Sequence, residues 1–185
     1  IPPAAPVIVS TRALAPLYDV ETLVRAVPAI RARHPAAMTL IVGDGEQRGM
    51  LEELAVLLGV GEAVRFLGRI ANDELPRCLA SADVYVSTAL SDAGIAASTA
   101  EAMASGLPAV ITDFRDNRLW VADGEGGFLV PLSDPAALAE RVNRLLDAPD
   151  LRAAAGEINR RTIVERNSYE GEMRKMEALY ERLVQ

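Results

Sequence analysis

Short runs rich in Val and Ile alternate along the chain with stretches whose apolar residues recur three or four positions apart. This pattern predicts β-strands alternating with amphipathic helices. After a proline-rich entry over residues 1–6 that reads as a linker, Val7–Ser10 is the first predicted strand. Asp19 is the predicted N-cap of a helix carrying Val20, Leu23, Val24, Val27 and Ile30, which His34 and Pro35 end. Thr39–Val42 is the next strand, followed by a Gly43-Asp44-Gly45 turn and a helix with Met50, Leu54, Leu57 and Leu58. Val64–Leu67 is a third strand, Asn72 is expected to cap a short helix reaching Ala80, and Val84–Ser87 is a fourth strand. A helix stopped by Gly106 and Pro108 follows, then strands at Ala109–Thr112 and Phe128–Val130, with a short helical segment at Asn117–Ala122 between them. The remainder is helical: Asp134-Pro135 opens one helix, a second starts near Leu151, and a third follows Ser168. Its Met173, Met176, Leu179, Tyr180 and Leu183 form a stripe expected to be core.

Six strands separated by helices predict an α/β fold with a parallel six-stranded sheet covered by helices on both faces, because parallel strands need crossover connections. Ligands of such sheets sit beyond the carboxyl ends of the strands. The turns to inspect are therefore Thr11–Leu17, Gly43–Glu46, Gly68–Asn72 and Leu90–Gly94.

Composition narrows the function classes. At 185 residues and 50% hydrophobic, the chain can bury a substantial core and reads as a single domain. A net charge of -7 with no basic cluster argues against nucleic acid and anionic lipid. One Cys and one His give no disulfide and no zinc site, so a reduced, cytoplasmic setting is expected. No apolar run reaches the roughly 18 residues of a membrane span. The missing initiator Met and the IPPAAP start read as a fragment of something longer.

The stretch SDAGIAASTAEAMASGLP, from Ser91 to Pro108, holds the most pointed chemistry. Gly94 lets the backbone approach a ligand, and the helix N-terminus beyond it offers free N–H groups and partial positive charge to a phosphate. Ala96, Ala97 and Ser98 leave the approach unobstructed. Glu101 lies too deep in the helix to meet that phosphate, so its carboxylate is placed either to accept hydrogen bonds from sugar hydroxyls or simply to be solvated.

VSTALSDAGIAASTAEAMASGLPAVITD resembles the segment of retaining GT-B glycosyltransferases of family 4 in which a glycine-bearing turn runs into LEAMACGxPVVATD. IVGDGEQRGMLEELAVLLGV, VRFLGRI and DGEGGFLVPLSDPAALAERVNRLL follow the same family's order. The resemblance covers essentially the whole chain and implies a Rossmann-like fold, the carboxyl-terminal, donor-binding half of a GT-B enzyme. By that resemblance Glu101 holds the nucleotide's ribose and Arg12 contacts the pyrophosphate. The amides of Gly94, Ile95, Ala96 and Ala97 cradle the phosphates, Leu67 to Ile70 frame the base, and Gly43 leaves room for the nucleotide. The implied ligand is a UDP-, GDP- or ADP-sugar, with no metal or other cofactor. The acceptor domain is expected to lie outside this chain, which alone is expected to bind donor weakly and to catalyse nothing.

Two positions depart from the family pattern. Ala93 stands where an acid contacting the donor sugar is common, and Leu17 where a Lys follows the Arg. Asp92 or Ser91 are the candidates for the sugar contact, and Arg118 or Arg69 for the phosphate; Tyr18 otherwise reads as a packing aromatic. DGEGG at 123–127 lacks phosphate-loop spacing and is expected to be a turn, His34 to be solvated, and Trp120 to pack the short helix on the sheet. A non-catalytic nucleotide-sugar-binding module and a sugar-nucleotide epimerase are the alternatives.

Overall fold

The computed structural model describes residues 4–92 and 94–184, the side chain of Val184 excepted. Among them, six strands form one sheet: β1 (Val7–Ser10), β2 (Met38–Val42), β3 (Val64–Gly68), β4 (Val84–Ser87), β5 (Ala109–Thr112) and β6 (Gly127–Val130). Their spatial order is β3-β2-β1-β4-β5-β6, and every pairing is parallel. The helices are α1 (Val20–Arg33), α2 (Arg48–Leu57), α3 (Leu75–Ala80), α4 (Ala97–Ala104), α5 (Pro135–Asp147), α6 (Pro149–Arg166) and α7 (Tyr169–Val184).

Alternation along each strand sorts side chains between two cores, since successive residues point to opposite faces. Ile8, Val84, Val86 and Val110 join α1 and α5 through Leu23, Ile30, Leu138, Val142 and Leu145 on one face. Ile41 and Val64 meet Val24, Leu51 and Leu54 of α1 and α2 on the same side. Val7, Val9, Leu40, Tyr85, Ala109 and Ile111 pack on the other face against Leu79 of α3, Met103 of α4 and Ile163 of α6. Both faces are therefore covered. Strands β1, β4 and β5 are buried along their whole length and β2 along most of it, whereas Arg65 and Leu67 of the edge strand β3 are exposed.

Helix ends follow the local chemistry with a few corrections. Gly106 has φ +79, its N–H bonds to Met103, and Leu107 N–H bonds to Ala102, a full Schellman stop for α4. Asp134 accepts from Ala137 N–H at 2.9 Å, so α5 is capped as expected. Asp134→Ala should lower stability by about 1 kcal/mol, read as a shifted urea midpoint at unchanged slope. Asp19 stands before α1, but at φ 42, and its side chain caps no amide. Its carboxylate accepts instead from Thr22 and Ser133 hydroxyls. Asn72 does not cap α3, which begins at Leu75: Pro76, lacking an N–H, belongs in a helix's first turn and sets the start one turn later.

The expected helix at Asn117–Ala122 is a 3-10 turn at Arg115–Leu119, because Asn117 turns its amide inward to Thr112 C=O. Its neighbour Trp120 packs on the sheet side as expected, with Arg166 4.6 Å above its ring. The DGEGG stretch is a turn whose Asp123 accepts from Leu129 N–H. His34 is not simply solvated: its side chain is 18% exposed and lies 3.3 Å from Asp147. The stripe on α7 is not core either, since Tyr169, Met173, Met176, Leu179, Tyr180 and Leu183 are all exposed. Helical periodicity makes a face apolar without supplying a neighbour for it. Among the described residues, no helix is long and apolar enough to cross a membrane.

Candidate functional site

Strand order reverses between β1 and β4. The chain leaves β1 toward β2 and β3, returns, and continues from β4 toward β5 and β6, so the carboxyl ends of β1 and β4 are the switch point, the place of the ligand crevice in such sheets. Arg12 stands two residues beyond β1, and Asp92 five beyond β4. The structure brings these two predicted residues into contact: Arg12 Nη2 donates to Asp92 Oδ1 at 2.5 Å, with side-chain exposures of 7% and 11%.

Around that pair the molecule builds a bracket that sequence reasoning missed. Arg12 Nη1 donates to Ser98 Oγ at 2.9 Å, and Tyr85 Oη lies 3.1 Å from the same hydroxyl. The Tyr18 ring packs on the core that includes Leu14 and Val24, as expected, and also lies 4.4 Å from the guanidinium carbon as a cation–π platform. Ser98, expected only to leave space, is thus the hinge between α4 and Arg12. The available signal was Tyr85 in the otherwise apolar VYVS strand, because a buried tyrosine hydroxyl needs a partner. Arg12 Nε is buried without a hydrogen-bond partner, as is Thr11 Oγ1 beside it. An unpaired guanidinium N–H beside an unpaired hydroxyl marks a buried polar spot that the protein's own groups do not satisfy.

Hydroxyls tie the loops together. Thr88 Oγ1 donates to Asp19 C=O at 2.8 Å, Thr112 Oγ1 to Ala89 C=O at 2.6 Å, and Leu90 N–H to Leu17 C=O at 2.9 Å. The β1, β4 and β5 loops are therefore fastened to one another on rigid strand ends. Leu17 itself is exposed on the 3-10 turn Pro16–Tyr18.

Gly43 serves this loop directly. It sits at φ +146, and an added Cβ would overlap the Arg12 carbonyl oxygen. Its missing side chain thus makes room for the backbone that carries Arg12, where the sequence pointed to room for a nucleotide. Leu14, fully buried, anchors the same loop through Leu14 N–H to Asp44 C=O and Gln47 N–H to Leu14 C=O.

The other predicted residues distribute around the crevice. Among the described residues no side chain caps the N-terminus of α4, whose N-cap is Ala96 followed by Ala97, and its first turn holds no acidic residue, so its positive end lies close to Arg12, which bonds to Ser98. Gly94 has φ +69 and open space where a Cβ would stand, and Ser91 is exposed. Glu101 is exposed on α4, in no hydrogen bond or ion pair of its carboxylate among the described residues. Leu67 is 46% exposed at the end of β3. Ile70 and Ile95 both rest on the core of the α3–α4 face, which puts the β3 loop and the start of α4 on one side of the sheet. Of the two cations considered for the phosphate, Arg118 is held by Asp113 at 2.6 and 2.7 Å, and Arg69 is exposed. Ala93 lies outside the described residues. Cys78 stands apart from the crevice, half-buried, and burial raises its thiol pKa, keeping it protonated.

A phosphatidyl-myo-inositol mannosyltransferase of Mycolicibacterium smegmatis is 33% identical over 138 residues, covering 75% of this chain and 35% of that protein. Sucrose-phosphate synthase of Thermosynechococcus elongatus superposes with a TM-score of 0.90 at 26% identity, over 100% of this chain and 47% of its own. HepE of Anabaena, solved in complex with UDP, superposes with a TM-score of 0.85 at 21% identity, over 96% of this chain and 49% of its own. The chain spans less than half the length of the curated relatives it matches. The profile of the family described as "Glycosyl transferases group 1" matches residues 1–162, and the chain belongs to that family.

Proposed function

We propose that this chain is the donor-binding half of a retaining hexosyltransferase, and that it holds a nucleoside diphosphate sugar across the β1–β4 crevice. The observation that carries this reading is Arg12: a 7% exposed guanidinium at the switch point, one N–H unpaired, beside the uncapped start of α4. In this reading the diphosphate lies on Arg12 and the amides from Gly94 to Ala97, and Glu101 accepts from the ribose hydroxyls. Leu67 and Ile70 border the base, and Ser91 faces the sugar. The UDP in HepE's complex and the mannosyl transfer in the M. smegmatis relative's name support a nucleotide-sugar donor. As the glycosidic bond to the diphosphate breaks, negative charge grows on the leaving oxygen. A preorganised guanidinium and helix amides stabilise that charge with little reorganisation. The reading requires no metal ion, and it assigns acceptor recognition to a separate acceptor domain.

Titration calorimetry and thermal shift with UDP-, GDP- and ADP-sugars test it. One of the three should bind and raise stability, by about 2.7 kcal/mol at a hundredfold excess over Kd; if none of them binds, the reading is wrong. Glu101→Ala separates nucleotide from phosphate recognition. Because Glu101 is exposed, its loss should change stability by no more than about 0.5 kcal/mol. Affinity for the preferred nucleoside diphosphate should fall about tenfold, the worth of one or two charge-assisted hydrogen bonds, while inorganic pyrophosphate binding stays unchanged.

A further inference from the structure

Arg12 already has an anion. With Asp92 on Nη2 and both side chains almost fully withdrawn from water, the pair is locally neutral. Nη1 is on Ser98, and Tyr18 covers a guanidinium face. A diphosphate arriving at Arg12 therefore meets a carboxylate where it needs an uncompensated cation, and two anions on one desolvated guanidinium repel strongly.

The partners of Arg12 differ in how firmly they are held. Ser98 sits in the first turn of α4 and is bonded to Tyr85, a fully buried residue of β4. Tyr18 sits on a turn bracketed by Leu90 N–H to Leu17 C=O and Thr88 Oγ1 to Asp19 C=O. Asp92 stands on irregular chain between exposed Ser91 and Gly94, and Gly94 has a left-handed φ and no neighbouring atom where a Cβ would stand. Asp92 alone among the three can turn to water without disturbing a helix or strand.

We infer that Asp92 is a resident counter-ion of the donor site: it holds Arg12 in register until a diphosphate takes its place on Nη2, and then swings out to solvent. Ser98, Tyr85 and Tyr18 keep the guanidinium aimed during the exchange. The inference rests on the donor site proposed above, and it gives Asp92 a role distinct from the sugar contact expected from the sequence.

The test uses the full chain with inorganic pyrophosphate, UDP, GDP and ADP. Asp92→Asn should tighten pyrophosphate and the preferred nucleoside diphosphate about tenfold or more, since the competing charge is gone. Unchanged or weaker binding overturns the inference and leaves the donor site standing. No binding to either protein overturns both. Hydrogen exchange on the unaltered chain gives a second measurement should Asp92→Asn fail to fold. On saturation with pyrophosphate, the amides of Ser91 and Asp92 should exchange faster while those of Ala97 and Ser98 slow. Slowing at all four positions means that Asp92 stays in place, and overturns the inference.

Discussion

Arg12→Gln should abolish binding of inorganic pyrophosphate and of every nucleoside diphosphate, and should also lower the melting temperature. The two effects have separate causes. Binding is lost because Gln carries no charge and cannot present several N–H donors from a rigid plane. Stability is lost because the substitution removes the partner of Asp92, which is 11% exposed, and leaves the Ser98 hydroxyl, itself bonded to Tyr85, without its cation. Breaking a buried pair costs about 3–5 kcal/mol. Asp92 lies on a loop and can reach water, so the low end, about 3 kcal/mol, is expected. For a domain of this size that is a fall of about 6–12 °C. Arg12→Lys should recover part of the stability but little of the binding, since one ammonium cannot serve Asp92, Ser98 and the Tyr18 face together. Pyrophosphate titration with scanning calorimetry on the same samples reads both quantities, and retained pyrophosphate affinity in Arg12→Gln would remove Arg12 from the site.

Gly43→Ala is the second large effect, although it adds only a methyl group. Gly43 has φ +146, which disfavours any L side chain, and the new Cβ would overlap the Arg12 carbonyl oxygen and lie 3.0 Å from its carbon. Strain and overpacking together should cost about 3 kcal/mol or more. Relief requires the β1 exit to move, and that strand end carries Arg12. The expected signature is therefore a lowered urea midpoint together with weakened pyrophosphate binding, in a protein whose chemical groups at the crevice are all intact. Wild-type stability would show that the β2 loop yields without effort and that Gly43 does not brace Arg12.

Much of the fold was legible because its determinants are local. All six strands lie where the Val- and Ile-rich runs place them, and Gly106 and Asp134 end and begin helices through bonds within a few residues. What misled was also local: Asn72 is a good cap in composition, but Pro76 sets the helix start. The α7 stripe has the right period, but nothing in a period says whether another element covers it.

The candidate site divides the same way. Arg12 and Glu101 became candidates through the family resemblance, and the small residues before α4 through the turn and helix start that the sequence displays. The bracket around Arg12 did not, because Ser98 and the Tyr85 that bonds it lie 86 and 73 positions from Arg12. By itself, the sequence determined the elements, the parallel sheet and the family pattern, since hydrophobic period, turn chemistry and chain order are properties of neighbouring residues. Only the tertiary structure decided that Asp92 is an ion partner of Arg12, that Gly43 yields its space to a backbone carbonyl, and that Tyr18 is a cation platform. Those relations follow from strand order, which sets β1 beside β4 and brings together side chains the chain keeps far apart.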